Sequence, residues 1–254
     1  MPELTIGQQR IVYREAGEAR PPLLLVHGAG GSSRHFAGLL GPLGRVRRTV
    51  AIDLPGHGRS SPLDPAAPAS ELLERYRDVC TELAERLGLG RFVFIGHSMG
   101  GAIGLLAAAA YPERLESLVV VASAARLRVS AELLSALRTR FEDVPALLAG
   151  LGYSPSSDPR QVRRWSEAQL QAPAEVVLDD FCACDRFDVR AQLSALQVPV
   201  SVVSATDDRL TPPALQEQLC EEIPRSRLQR LSRAGHFALF ERPDALAEAL
   251  LRAL

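Results

Sequence analysis

The chain has 254 residues, 46% hydrophobic and 23% charged, with a formal net charge of −1. This is the balance of an ordinary globular protein able to bury one sizeable core, with or without an insertion. With that net charge and no basic block, neither a nucleic-acid footprint nor a polybasic membrane patch is written into the charge pattern; that all 29 basic residues are arginine reads as a codon bias and not as chemistry. The N-terminal MPELTIGQQR has no apolar leader core, and the longest apolar runs, such as AIGLLAAAAY, fall well short of a bilayer span. The expectation is a cytoplasmic protein whose partner is a small molecule.

In chain order, short runs of Val, Ile, Leu and Phe recur without strict alternation: PLLLV (22–26), RTVAI (48–52), RFVFI (91–95), ESLVVV (116–121) and VPVSVV (198–203). Runs of this kind suit strands covered on both faces, as in a parallel sheet. Between the second and third lies ELLERYRDVCTELAERLG, whose Leu72, Leu73, Tyr76, Val79, Cys80, Leu83 and Leu87 share one helical face, with Ser70 as a candidate cap and Gly88 as the stop. Alternating strands and helices predict a doubly wound α/β sheet. After Ala122 the alternation stops. From about Arg126 to Arg190 the sequence offers helical pieces (SAELLSALRTRF, DPRQVRRWSEAQL, PAEVVLDDFCAC) and no convincing strand, so residues 126–190 read as a helical insertion in a core of residues 1–125 and 191–254. The strand pattern resumes at Leu196. A last strand is expected at 227–231 and a last helix in ERPDALAEALLRAL, with Pro243 in its first turn. Cys80, Cys182, Cys184 and Cys220 form no C-x-x-C pair and no zinc-site spacing, so buried or half-buried thiols are expected and no metal is.

Chemistry concentrates directly after the third strand, in GHSMGGAIGLLAAAAYP. Gly96-x-Ser98-x-Gly100 between a buried strand and a helix describes a very tight turn that holds Ser98 out at the sheet's end, the glycines leaving room where a Cβ would collide. The Met99 N–H, at the helix N-terminus, can then face an oxyanion on the carbon that Ser98 attacks. A serine hydroxyl needs a base to take its proton. Of the five histidines, His27, His57 and His97 lie inside glycine-rich motifs and His35 is expected to begin a helix, whereas His236 stands in SRAGHFALFERPD between the last strand and last helix. That position reaches the carboxyl ends of the central strands, and the order Ser, acid, His favours it. For the acid, SATDDRLTPP offers Asp207 and Asp208 side by side.

HGAGG (27–31), DLPGHGRS (53–60), GHSMGG (96–101), DDRLTPP (207–213) and GHFALFERP (235–243) resemble, in order and spacing, the α/β-hydrolase superfamily of serine hydrolases, over roughly residues 11–254. The resemblance implies a mostly parallel central sheet flanked by helices, with a helical cap inserted between two strands. It implies Ser98 as nucleophile, His236 as base and Asp208 as the acid, Asp207 falling on a variable position. It implies the N–H of Ala29 as the second oxyanion donor beside that of Met99, and a structural turn at DLPGHGRS. Serine at position 98 argues against the dehalogenases and epoxide hydrolases of the superfamily, which carry Asp there. The activity implied is hydrolysis of small carboxylic esters in the manner of a carboxylesterase, with no cofactor. The alternatives are an enol-lactone or carbon–carbon hydrolase using the same triad, or a non-catalytic ligand-binding member. Cap side chains of this group line the substrate pocket, which nominates Phe141, Leu148, Trp165 and Phe181.

Overall fold

A computed structural model describes residues 1–63 and 69–254. The first half of the chain forms β1 (Glu3–Ile6), β2 (Gln9–Ala16), β3 (Leu23–Val26), α1 (Ala37–Gly44), β4 (Thr49–Ile52), α2 (Leu72–Arg86), β5 (Phe92–His97), α3 (Met99–Ala110) and β6 (Leu115–Val121). Four helices follow without a strand: α4 (Ala131–Thr139), α5 (Val144–Gly152), α6 (Pro159–Ala168) and α7 (Ala174–Arg186). The chain closes with β7 (Val200–Ala205), α8 (Pro213–Glu222), β8 (Ser226–Leu231), α9 (Ala238–Glu241) and α10 (Pro243–Ala253).

The strands make one sheet in the order β1-β2-β4-β3-β5-β6-β7-β8. From β4 to β8 every pairing is parallel, while β1 and β2 join antiparallel at one edge. Each central strand feeds both faces. Leu24, Val26, Phe92, Phe94, Leu118 and Val120 join the core under α2 and α3, whereas Leu23, Leu25, Val93, Ile95, Val119 and Val121 join the core under α1 and α10. Apolar residues at every position, rather than every second one, are what a sheet covered on both sides demands. Each such side chain contributes about 1.5–3 kcal/mol of burial.

The helical insertion leaves the sheet after β6 and returns before β7. Its neck is closed by an antiparallel bridge between Arg126 and Asp188, flanked by Leu127 N–H to the Phe187 carbonyl and Val189 N–H to the Ala125 carbonyl. The insertion has its own small core, in which Leu133, Leu137, Val144, Leu148, Tyr153 and Val177 pack with Phe237 of the main body.

Several elements differ from their expected form. The edge strands β1 and β2 and the helices α5 and α8 carry no strong pattern in the sequence. Ser70 does not cap α2: it lies in a one-turn 3-10 helix (Ala69–Glu71), and Glu71 occupies the cap position without a side-chain bond. All four thiols are free, Cys80 and Cys184 buried and Cys182 and Cys220 half-buried. Among the described residues no helix is long and apolar enough to cross a membrane.

Candidate active site

The junction of β5 and α3 forces Ser98 to φ 54° and ψ −119°, a left-handed conformation that costs a non-glycine residue about 1–3 kcal/mol. The surrounding backbone permits it only because of two glycines. A Cβ on Gly96 would strike the Gly100 carbonyl, and one on Gly100 would strike the Val26 carbonyl of the neighbouring strand. The turn is locked by the Ser98 N–H on the Val121 carbonyl at 2.9 Å and by the Gly101 N–H on the Ser98 carbonyl at 2.8 Å.

Ser98 Oγ lies 2.8 Å from His236 Nε2, and His236 Nδ1 lies 2.9 Å from Asp208 Oδ2. His236 is 4% exposed and Asp208 2%. Every contact brings a donor to the Asp208 carboxylate. The N–H groups of Leu210 and Thr211 bond Oδ1, both at 2.9 Å, while the Thr211 hydroxyl at 2.7 Å and Gln216 Nε2 at 3.3 Å bond Oδ2. A carboxylate held at four points cannot swing, so it fixes the imidazole that donates to it. Thr211 and Gln216 were not legible as site residues in the sequence, although an acid followed three residues later by Thr is a side-chain turn signal. Asp207 faces elsewhere: its carboxylate accepts from the Ser154 and Thr206 hydroxyls, which ties it to the helical insertion rather than leaving it in solvent.

The loop after β3 carries the other groups expected at the site. The Gly30 N–H bonds Asp180 Oδ2 at 2.8 Å and the Gly31 N–H bonds the Gly28 carbonyl at 3.0 Å. Among the described residues the N–H groups of Ala29 and Met99 have no backbone or side-chain acceptor, and Ala29 lines the same cavity as Ser98 and His236. That cavity is about 150 Å³, walled chiefly by Leu127, Leu133, Leu148, Leu170, Phe181 and Phe237, with Arg128 and Arg209 at its edge. Of the four insertion residues nominated from sequence, Leu148 and Phe181 line it. Phe141 instead packs within the insertion's own core, and Trp165 stacks on Tyr153 with ring centroids 5.7 Å apart.

The histidine partners fix their protonation states. His27 accepts the Leu54 N–H at Nε2 and faces the Gly28 carbonyl with Nδ1, so it carries one proton. His97 donates Nε2–H to the His236 carbonyl at 2.8 Å and its Nδ1 is unpartnered. His57 differs, because Nδ1 faces the Pro55 carbonyl at 2.9 Å and Nε2 faces Asp180 Oδ2 at 2.8 Å. Two acceptors require two protons, and the ring is an imidazolium. Burial lowers the His57 pKa, but the Asp180 charge and hydrogen bond outweigh it and the pKa is raised. Burial is also the main cause at His27 and His97, both well below the ordinary value, and pushes His35 down to about 4.

These shifts set a pH window. His27, His35 and His97 refuse protons that the unfolded chain accepts below pH 6.5, so each withdraws stability as pH falls. For His35 alone the loss approaches roughly 3 kcal/mol near pH 4. His57 acts oppositely: its contribution is complete below pH 6.5 and is lost as pH rises through its raised pKa. With the His57 contribution constant below pH 6.5, the three lowered groups predict a melting temperature that falls between pH 6.5 and 4. Calorimetry across that range checks it, and a flat or rising profile would contradict the assignment.

Residues 23–249 match the model of the alpha/beta hydrolase family. The chain belongs to that family. It is 27% identical to the pimeloyl-[acyl-carrier protein] methyl ester esterase of Neisseria meningitidis over 91% of each chain. It is 29% identical to polyketide synthase ThaQ of Burkholderia thailandensis over 98% of its own length, which spans 12% of that protein. The crystal structure of the enol-lactonase from Burkholderia xenovorans superposes with a TM-score of 0.89 at 24% identity, covering 99% of both chains, a likeness of fold.

Proposed function

We propose that this protein is a serine hydrolase of small carboxylic esters, cytoplasmic and without a cofactor, working through Ser98, His236 and Asp208. The observation that carries the reading is the continuous relay from Ser98 Oγ through His236 to the Asp208 carboxylate at 2.8 and 2.9 Å. His236 Nε2 takes the Ser98 proton as Oγ attacks the acyl carbon, and the Asp208 carboxylate stabilises the imidazolium that forms. The oxyanion is held by the N–H groups of Ala29 and Met99, whose lack of other acceptors supports this role. Collapse of the tetrahedral adduct breaks the bond to the alkoxy oxygen, which leaves with the proton from His236. Water then repeats the sequence on the acyl-enzyme, and the acid product departs. The helical insertion roofs the site, with Leu148 and Phe181 among the apolar contacts to substrate.

The test is a panel of p-nitrophenyl esters of rising acyl length, with lactones alongside, on wild type and Ser98→Ala. Fluorophosphonate labelling of Ser98 and loss of at least about 10³-fold in kcat in the variant are expected. Turnover that survives in Ser98→Ala, or no labelling and no turnover by wild type, would overturn the reading. Preference for lactones over open esters would move the substrate class but keep the machinery.

A further inference from the structure

The cavity beside Ser98 is mostly apolar, with Arg128, Ser130, Gln169, Arg209 and Thr211 also on its lining, and one wall contains two imidazoles with unpartnered ring nitrogens. His35 stands on the 3-10 turn Ser33–Phe36, is 5% exposed, and neither ring nitrogen makes a hydrogen bond among the described residues. Its Nδ1–Cε1 edge packs on Gly31, where a Cβ would come within 2.8 Å, and the ring meets Phe240 edge-on with centroids 5.0 Å apart. His97 is 3% exposed with Nδ1 unpartnered. Both rings line the cavity with Ser98 and His236. Buried polar atoms in native proteins nearly always have partners, so two orphans in one ligand-sized wall ask what supplies them.

The chemistry missing from the wall has a sign. The proton of His97 is committed to the His236 carbonyl, so its Nδ1 is a bare lone pair. Burial keeps the His35 ring neutral, and with both ring nitrogens unpartnered one of them is a bare lone pair and the other a free N–H. Such a wall accepts hydrogen bonds. A hydrocarbon chain leaves it unsatisfied, and a carboxylate sets lone pair against lone pair at His97 Nδ1 and at the bare nitrogen of His35. A hydroxyl can donate to the bare nitrogen of either ring and accept from the free N–H of His35.

We propose that this wall is a recognition subsite for a hydroxyl group on the substrate, received by His35 with His97 as the second acceptor. The proposal rests on the ester-hydrolase reading for what the substrate is, and adds which esters are preferred. A site built to accept a hydrogen bond discriminates strongly against the analogue without it, because the buried acceptor is then stranded.

Matched pairs test it: p-nitrophenyl butanoate against 3-hydroxybutanoate, p-nitrophenyl hexanoate against 6-hydroxyhexanoate, and ethyl against 2-hydroxyethyl acetate. Wild type is expected to favour the hydroxylated member of at least one pair by about tenfold or more in kcat/KM, equivalent to about 1.4 kcal/mol. In His35→Leu that ratio should fall towards one, and in His35→Asn, which keeps an acceptor, it should partly return. The melting temperature of His35→Leu should hold or rise, since an unsatisfied polar group is exchanged for an apolar one; a fall would mean the ring serves the fold. The same pairs, titrated calorimetrically onto Ser98→Ala, read the subsite without chemistry. Turnover of plain esters with no hydroxyl preference in any pair would sink the subsite and leave the hydrolase reading intact. A binding preference without turnover would do the reverse. A preference that survives in His35→Leu, or one for carboxylate-bearing esters, would overturn the assignment to this wall.

Discussion

Asp208→Asn is expected to lower kcat about 10⁴-fold, while Asp207→Asn next door leaves activity within a few-fold of wild type. The difference follows from what each carboxylate faces. An amide at 208 presents N–H where His236 Nδ1 now finds Oδ2 at 2.9 Å. The imidazole must then place its own proton on Nε2, the atom 2.8 Å from Ser98 Oγ that has to accept one. The Leu210 and Thr211 N–H groups can still be served by the amide oxygen, so the loop should hold its shape and the defect should be chemical. At 207 the two carboxylate oxygens serve the Ser154 and Thr206 hydroxyls, and an amide can serve both by accepting from one and donating to the other. Single-turnover kinetics on p-nitrophenyl acetate separate the cases; equal losses, or a larger loss at 207, would place the orienting acid one residue earlier.

Removing the Asp180 side chain is expected to be the most damaging change to the fold outside the sheet. This carboxylate is fully buried on α7 and holds three partners from three parts of the main body: His57 at 2.8 Å, the Gly30 N–H at 2.8 Å and the Tyr76 hydroxyl at 3.1 Å. Asp180→Ala strands a buried imidazolium, an N–H and a hydroxyl together, and breaking a buried pair from one side costs about 3–5 kcal/mol. Asp180→Asn should cost less, because the amide still accepts from Gly30 or Tyr76 and His57 can shed a proton. Denaturant melts of both variants decide the point. If Asp180→Ala is as stable as wild type, the pair does not hold the insertion. The variant that still folds should also lose kcat, since Gly30 sits next to the proposed oxyanion donor Ala29.

The central strands were readable because sheets covered on both faces need uninterrupted apolar runs, and LLLV, FVFI and LVVV supply them. The edge strands β1 and β2 were not, since only Ile11, Val12 and Tyr13 are buried in β2 and the rest alternates weakly with charged residues. The proximity of Ser98, His236 and Asp208 was legible through ordered motifs whose residues lie 138 and 28 positions apart in the chain. The Asp180 network was hidden for a different reason. His57 sits in a glycine-rich turn and Asp180 in a helix 123 residues later, and neither neighbourhood carries a sign of the other. Insertion residues were legible as apolar but not as to direction, which is why Trp165 and Phe141 turned inward to Tyr153 and the insertion core.

The tethers of the helical insertion have a dynamic meaning. Besides Asp180, the Gln171 N–H donates to the Gly30 carbonyl and the Gly58 N–H to the Gln171 carbonyl. Glu241 receives the Ser154 N–H and Ser157 hydroxyl from the insertion and the Gly235 N–H from the residue before His236. A roof fastened by a buried ion pair and a shared carboxylate does not lift as a hinged flap without dismantling the floor beneath it. Insertion and core are therefore expected to melt in one transition, which hydrogen exchange on α4–α7 against the central strands would check. Arg128 and Arg209, both exposed, line the cavity beside Ser98, so it reaches the surface at the rim of an insertion that is fastened on its other sides.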